Sequence, residues 1–206
     1  MSISGRIRLF VLDTGPLITL AAAQSLDYLL YVEQATTVVI PDAVFYEATR
    51  DTGRLGAEDI FDWASANRDR IEFAPTLVYR EYVAAREADP SLGRHRHLGE
   101  QAATEVINDP QRLRPGELAI LLCEETAITR GRFSVDNPEN LIVASTMDFL
   151  RALEAEHRIQ SAEVVMQLAV EAGRVANQKT FIDPHEQRVR DMIQELVRNP
   201  NDDSSR

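Results

Sequence analysis

Four short, largely apolar runs, three of them followed closely by a helical pattern, constrain this chain more than any other feature. They are Arg8 to Asp13 (RLFVLD), Thr37 to Ile40 (TVVI), Leu118 to Cys123 (LAILLC) and Leu141 to Ala144 (LIVA). Runs of this length that are apolar throughout, without alternation, predict strands buried on both faces, as in parallel sheets. Arg70 to Phe73 adds a further short strand. Between them, a helical period marks Leu17 to Val32, Ala57 to Asn67, Tyr79 to Glu87, Leu98 to Ile107, Phe149 to Glu156, Ala162 to Gly173 and His185 to Val197. Asp42, after Pro41, is placed to cap a helix running through Glu47 to about Thr49. Asp89 to His97 reads as a polar connection. Strands alternating with helices predict an α/β fold, a largely parallel sheet covered on both faces.

With 206 residues, 44% of them hydrophobic, the chain can bury one sizeable core. One domain over residues 1–176 is expected, followed by a C-terminal helix and tail over 177–206, the stretch Asn199 to Arg206 (NPNDDSSR) having a disordered composition. A single cysteine, Cys123, excludes an intrachain disulfide framework and a cysteine-rich zinc site. No apolar run approaches the roughly 18 residues of a membrane span, and the start lacks the order of a signal peptide, so a cytoplasmic chain without membrane contact is expected. The net charge of −11 opposes broad electrostatic binding of nucleic acid, which needs clustered Lys and Arg. Such binding is compatible with this charge only where the acids themselves hold cations that invert the local field, and where a local basic rim or a basic partner does the steering.

The acids that close or follow the runs are therefore the centre of interest. In a parallel sheet, ligands gather outside the carboxyl ends of the strands. Asp13 ends the first run, and Glu124 and Glu125 follow the most apolar one. Burying an unpaired carboxylate costs several kcal/mol, about what a lost buried partner costs, so these residues belong at a polar crevice rather than in the core. Glu47 lies about a turn into the helix after the second run, and Glu100 opens the helix of LGEQAATEV. Hard divalent cations take oxygen ligands of this kind. Each acid also has a plainer role open to it: Asp13 as a helix cap, Glu47 as a solvated or ion-paired residue, Glu100 as a partner of the helix dipole, and Glu124 and Glu125 as the start of an exposed loop.

The order of these segments resembles the PIN-domain family, in a longer variant of its bacterial toxin-like members. FVLDTGPLITLA at Phe10 to Ala21 resembles the family's first motif, and VVIPDAVFYEAT at Val38 to Thr49 its second. LGEQAATEV at Leu98 to Val106 is similar to the Gly-Glu helix carrying the third acid, and LAILLCEE at Leu118 to Glu125 to the strand that ends in paired acids. Asn140 to Arg174 resembles the last strand and closing helices. The resemblance implies a three-layer α/β/α fold around a central parallel sheet, and an endoribonuclease dependent on Mg²⁺ or Mn²⁺ that hydrolyses RNA phosphodiester bonds. It implies catalytic acids at Asp13, Glu47, Glu100, Glu124 and Glu125, with Asp13, Glu100 and Glu124 holding metal. It further implies a toxin held by an antitoxin protein, and a homodimer. Glu stands at the fourth site where the family usually has Asp, which lengthens the reach by one methylene and bears on catalysis through positioning.

A second register takes Glu117 (PGELAILL) as third acid and Asp136 (FSVDN) as fourth. It ranks behind the first because Asn140 to Arg174 fits the family's end best when Leu118 to Glu125 is the preceding strand. Thr14 and Thr146 are candidates to meet a metal-bound water or a phosphate, or are ordinary strand-end hydroxyls. Arg94 and Arg96, with His95 and His97, form the one dense basic patch, either a contact to the RNA backbone beside Glu100 or a solvated loop. His157 and His185 read as surface residues. Two other functions compete: a non-catalytic PIN-like module that binds a partner protein, which the acidity favours, and a nucleotide-binding doubly wound protein, which the missing Gly-rich fingerprint opposes.

Overall fold

A computed structural model describes residues 6–93, 95, 97–124, 140–175, 180, 182 and 187–198. Each apolar run becomes a strand: β1 (Ile7–Leu12), β2 (Thr37–Pro41), β3 (Ile71–Ala74), β4 (Leu118–Leu122) and β5 (Leu141–Ala144). Among the described residues these five form one sheet in the order β3-β2-β1-β4-β5, every neighbouring pair parallel. The β1 strand pairs with β4 from Ile7 opposite Leu118 to Leu12 opposite Leu122, with a register shift between Ile7 and Leu9.

Alternate side chains feed two cores, because successive residues of a strand point to opposite faces. On one face Phe10, Leu12, Val38, Ile40, Ile120 and Leu122 pack with Leu17 and Leu20 of α1 (Thr14–Ala22), Phe149 and Leu153 of α6 (Thr146–Ala155), and Val165 and Met166 of α7 (Ala162–Glu171). Val189, Ile193, Leu196 and Val197 of α8 (Gln187–Val197) are buried in that same core. On the other face Leu9, Val11, Val39, Ala119 and Leu121 pack under Ala103, Val106 and Ile107 of α5 (Leu98–Asn108). A third cluster joins Ala43 of α2 (Asp42–Thr49), Tyr82 of α4 (Leu77–Ala88) and Leu98 and Ala102 of α5. The α3 helix (Ala57–Ala66) buries Ile60 in the first core. The architecture is thus three-layered, α/β/α, as the alternation of elements predicts. Among the described residues no helix is long and apolar enough to cross a membrane.

Three expectations change. The Leu17 to Val32 stretch is not one helix: α1 ends at Ala22, and a 3₁₀ helix covers Leu26–Val32. Gln24 takes a positive φ of 54°, and the N–H groups of Gln24 and Ser25 bond to the carbonyls of Ala21 and Leu20, the paired closure that stops a helix and turns the chain. Asp42 is not the N-cap of α2, a position held by Pro41, though its carboxylate accepts the first-turn N–H of Ala43 at 2.8 Å; it also accepts from the N–H (3.0 Å) and hydroxyl (2.6 Å) of Thr76, tying α2 to the start of α4. The α6 helix begins at Thr146 rather than Phe149, because Ser145 and Asp148 cap each other's backbone N–H groups in a capping box. The start of the last predicted helix, with His185, and the tail 199–206 lie outside the described residues.

Candidate active site

The strand order reverses at β1. The chain leaves β1 for β2 and β3 on one side, then returns to β4 and β5 on the other, so the crevice between the carboxyl ends of β1 and β4 is the topological switch point where doubly wound sheets bind ligands. Asp13 follows β1 directly and is buried, 8% exposed, and its backbone N–H bonds the Leu122 carbonyl at 3.0 Å. Asp13 occupies the N-cap position of α1 without a side-chain cap hydrogen bond. Glu124 lies two residues past β4 and is 6% exposed.

The turn Asp13-Thr14-Gly15 holds the other acids in place from both sides. On one side, the Thr14 hydroxyl donates to Glu47 Oε2 at 3.4 Å, and the backbone N–H of Gly99 also hydrogen-bonds Glu47. A Cβ at position 99 would lie 2.8 Å from Glu47 Oε2 and 3.5 Å from Thr14 Oγ1, so any side chain there would push the Glu47 carboxylate aside. Glu100, next on α5, faces His97, whose Nδ1 is 2.9 Å from Glu100 Oε2. On the other side, Gly15 abuts Glu124: a Cβ there would lie 3.0 Å from the Glu124 Cβ and 3.4 Å from its Oε2. Glu124 accepts the buried Thr146 hydroxyl at Oε1 (2.8 Å) and the Arg174 guanidinium at Oε2 (3.1 Å).

Burial pushes the Glu47 carboxyl above the usual carboxylate range. The charge on Glu100 adds to this, while Arg50 and the hydrogen bonds from Thr14 and Gly99 oppose it. A carboxyl lifted by burial beside a second carboxylate, in a strand-end crevice, is the environment in which functional acids are found. Arg50 is close enough to Glu47 for its charge to act there, and aromatic rings surround the neighbouring Tyr46. Arg50 lies 5.2 Å from the ring centre of Tyr46, Arg86 donates to the Tyr46 hydroxyl at 3.0 Å, and His95 meets Tyr82 edge-on.

Of the sequence-predicted residues, Glu47 and Glu124 meet the two sides of the turn that Asp13 opens, and Glu100 lies near enough to Glu47 for its charge to act there. Both threonines are spent on carboxylates, Thr14 on Glu47 and Thr146 on Glu124, with Thr146 fully buried. Glu125, Arg94, Arg96 and Asp136 lie outside the described residues. Glu117 precedes β4 and accepts the Arg114 N–H at 2.9 Å, which puts it at the amino end of the sheet, opposite Asp13; the register using it as third acid fails on this ground. Sequence reasoning missed Arg174 and the two close-approach glycines. The signal for Arg174 was slight: one arginine directly after Gly173, at the end of a helical pattern.

The donor set is one of carboxylate oxygens, which suits a hard divalent cation in kind. As the side chains stand, among the described residues no three His, Cys, Asp or Glu side chains form a ready ion cage. The charged groups form two sets, Glu47 with Glu100 and Glu124 with its partner Arg174, on either side of residues 13–15. Comparison with family models, with curated proteins and with solved structures finds no match to this chain.

Proposed function

We propose that the crevice is the centre of a divalent-cation-dependent endoribonuclease of PIN-domain type, hydrolysing phosphodiester bonds of RNA. One observation carries the reading: at the switch point of a parallel sheet, Glu47 and Glu124 meet the two sides of the turn that Asp13 opens, with Glu100 near enough to Glu47 for its charge to act there. Asp13, Glu47, Glu100 and Glu124 are the carboxylates available to hold Mg²⁺ or Mn²⁺. A bound ion of this class lowers the pKa of a coordinated water and draws off charge from the attacked phosphate. The chain's own groups do the rest. Thr14 and the Gly99 N–H orient Glu47, whose raised carboxyl is suited to take up a proton from the attacking water as that oxygen bonds phosphorus and the bond from phosphorus to the leaving ribose oxygen breaks. Arg50, beside Glu47, provides local positive charge of the kind an acidic chain requires near a polyanion. In the same reading the chain acts in the cytoplasm as a homodimer, and an antitoxin protein controls it.

The test is to incubate the purified chain with mixed RNA and Mn²⁺ beside an Asp13→Asn variant and a chelated sample. Cleavage by the wild type alone supports the reading. Equal activity in the variant, or activity in chelator, removes it. A non-catalytic module that binds a partner protein is the second reading, favoured by the arginine already seated on Glu124; a wild type that binds no Mn²⁺ and cleaves nothing would establish that alternative.

A further inference from the structure

The surface next to Glu47 is built from rings and guanidinium groups. Tyr46 of α2 and Tyr79 and Tyr82 of α4 form a triangle, with centroids 5.4 Å apart for Tyr46 and Tyr79, 6.0 Å for Tyr46 and Tyr82, and 6.5 Å for Tyr79 and Tyr82. Tyr82 is buried against Ala43, Leu98 and Ala102 and anchors the group, while Tyr46 and Tyr79 are half-buried and keep part of their surface in solvent. Two arginines rest on these rings. Arg50, one helical turn past Tyr46, lies over the Tyr46 ring, and the exposed Arg86, one turn past Tyr82, lies 5.9 Å from the Tyr82 centroid while donating to the Tyr46 hydroxyl. His95, also exposed and part of the basic stretch GRHRH, sits 6.3 Å from Tyr82 at the border of the group. Among the described residues neither Arg50 nor Arg86 forms an ion pair with a carboxylate, in a chain with 33 acidic side chains against 22 Lys and Arg. Held by rings and phenols rather than by a counter-charge, both keep their full positive charge.

Rings with cations laid over them are the means by which proteins grip single strands: unpaired bases stack on aromatic faces and guanidinium planes, and the phosphates between them meet the charge. Packing α2 on α4 would need the rings alone, without two arginines lacking acidic partners. Arg50 joins this surface to the crevice, since it lies over the Tyr46 ring and its charge also reaches Glu47, the next residue of α2. Accepting the RNA-hydrolysing reading above, we propose that Tyr46, Tyr79, Arg50, Arg86 and His95 form a platform for the unpaired bases of single-stranded RNA and lead the strand past Glu47. A duplex does not fit it, because paired bases are already stacked on one another and the deep groove of A-form RNA is closed to side chains. Stacking reads the face of a base rather than its edge, so the platform tolerates any sequence. It is also a local basic surface on a chain whose net charge of −11 otherwise repels a polyanion.

Fluorescence anisotropy of a short labelled oligouridine, titrated with the full chain in chelator, reads binding without cleavage. The wild type is expected to bind this strand at least about tenfold tighter than an RNA duplex or an abasic ribose-phosphate strand of the same length. Tyr79→Leu, which removes a ring, is expected to weaken binding about tenfold, and Tyr79→Phe, which keeps it, to bind like wild type. Arg86→Gln is expected to lower the slope of log affinity against log salt by about 0.7, one phosphate contact on a single strand. Equal binding of the abasic strand or the duplex, or wild-type binding by Tyr79→Leu, would overturn the inference. So would a wild type that binds no strand, which would leave the surface to a protein partner. Should Tyr79→Leu fail to fold, the exposed Arg86 decides, and an unchanged salt slope in Arg86→Gln would overturn the platform. The hydrolytic reading fails separately: binding in the expected pattern without Mn²⁺-dependent cleavage would remove that reading and leave the platform as an RNA-binding surface, whereas cleavage that needs Asp13 but ignores Tyr79→Leu in binding would do the reverse.

Discussion

Glu47 has a pKa raised above its unfolded value, chiefly by burial, and the sign of its effect on stability follows. Between the unfolded and folded pKa values the folded chain binds more protons than the unfolded one, so stability falls as pH rises through that window. Glu47→Gln keeps an acceptor for Thr14 and the Gly99 N–H but never carries the charge. In chelator it is expected to melt close to wild type below the usual carboxylate range and above it at neutral pH, the gap opening as pH climbs; a gap independent of pH would refute the burial argument. Gly99→Ala probes the same carboxylate from outside. The added methyl would lie 2.8 Å from Glu47 Oε2, the free end of a flexible side chain, and 3.2 Å from Val44 Cγ2. The carboxylate yields more easily than the backbone, so urea unfolding should report a loss of only about 1 kcal/mol, at the low end for overpacking. Mn²⁺ affinity should fall by about tenfold, since a displaced ligand loses its geometry. A large stability loss with unchanged Mn²⁺ binding would mean that Glu47 packs α2 on α5 and holds no ion. These acids were legible one at a time because Asp13 and Glu124 close apolar runs, Glu100 opens a helix and Glu47 lies in the helix that follows a run. The glycines and Arg174 were not, because close approach and the direction of a helix end are tertiary facts that no spacing encodes.

At the level of elements, the strands were the most legible part of the chain. Leu141 to Ala144 matches its strand to the residue, and the other four agree within a residue at either end, because continuous burial on both faces leaves an unbroken apolar signature. Helix ends were less so, and the reason is chemical. Sequence reading expects glycine where a helix closes, yet α1 and α6 close on Gln24 (φ 54°) and His157 (φ 54°). At His157 the bonds to the Glu154 and Leu153 carbonyls repeat the arrangement found at Gln24. Among the described residues only α7 closes on a glycine, Gly173, and there the helical period was read to that residue. The left-handed region costs an L-residue about 1–2 kcal/mol, and glycine gives back roughly half of that in chain entropy. Gln24→Gly is therefore expected to stabilise the chain by about 0.5–1 kcal/mol, seen as a higher urea midpoint at unchanged slope. An unchanged or lower midpoint would show that the Gln24 side chain contributes more to the α1 corner than its backbone strain costs. The site depends on this corner indirectly, since α1 carries Thr14, Gly15 and Thr19.

For the whole molecule, the net charge of −11 and the acid-lined turn make one linked argument. Carboxylates gathered at one crevice repel each other in the folded chain more than in the unfolded one, and a divalent ion binding only the folded state relieves that repulsion and adds its own binding energy. At a concentration about a hundred times its Kd, an ion at one site stabilises by about 2.7 kcal/mol. For a chain of this length about 1 kcal/mol moves the melting temperature by roughly 2–4 °C. Saturating Mn²⁺ is thus expected to raise it by roughly 5–10 °C, and chelator to reverse the rise. Screening predicts a different pattern, because sodium chloride at matched ionic strength weakens all exposed repulsions alike and does not distinguish this crevice from the rest of an acidic surface. Glu100→Gln separates the two effects: it removes a single charge of the surface but one of the acids assigned to the ion. If the rise belongs to the site, it is largely lost in Glu100→Gln and is not reproduced by sodium chloride. If salt matches Mn²⁺ and the variant responds like wild type, the crevice is only one acidic patch among others, and a metal-dependent function for it is wrong.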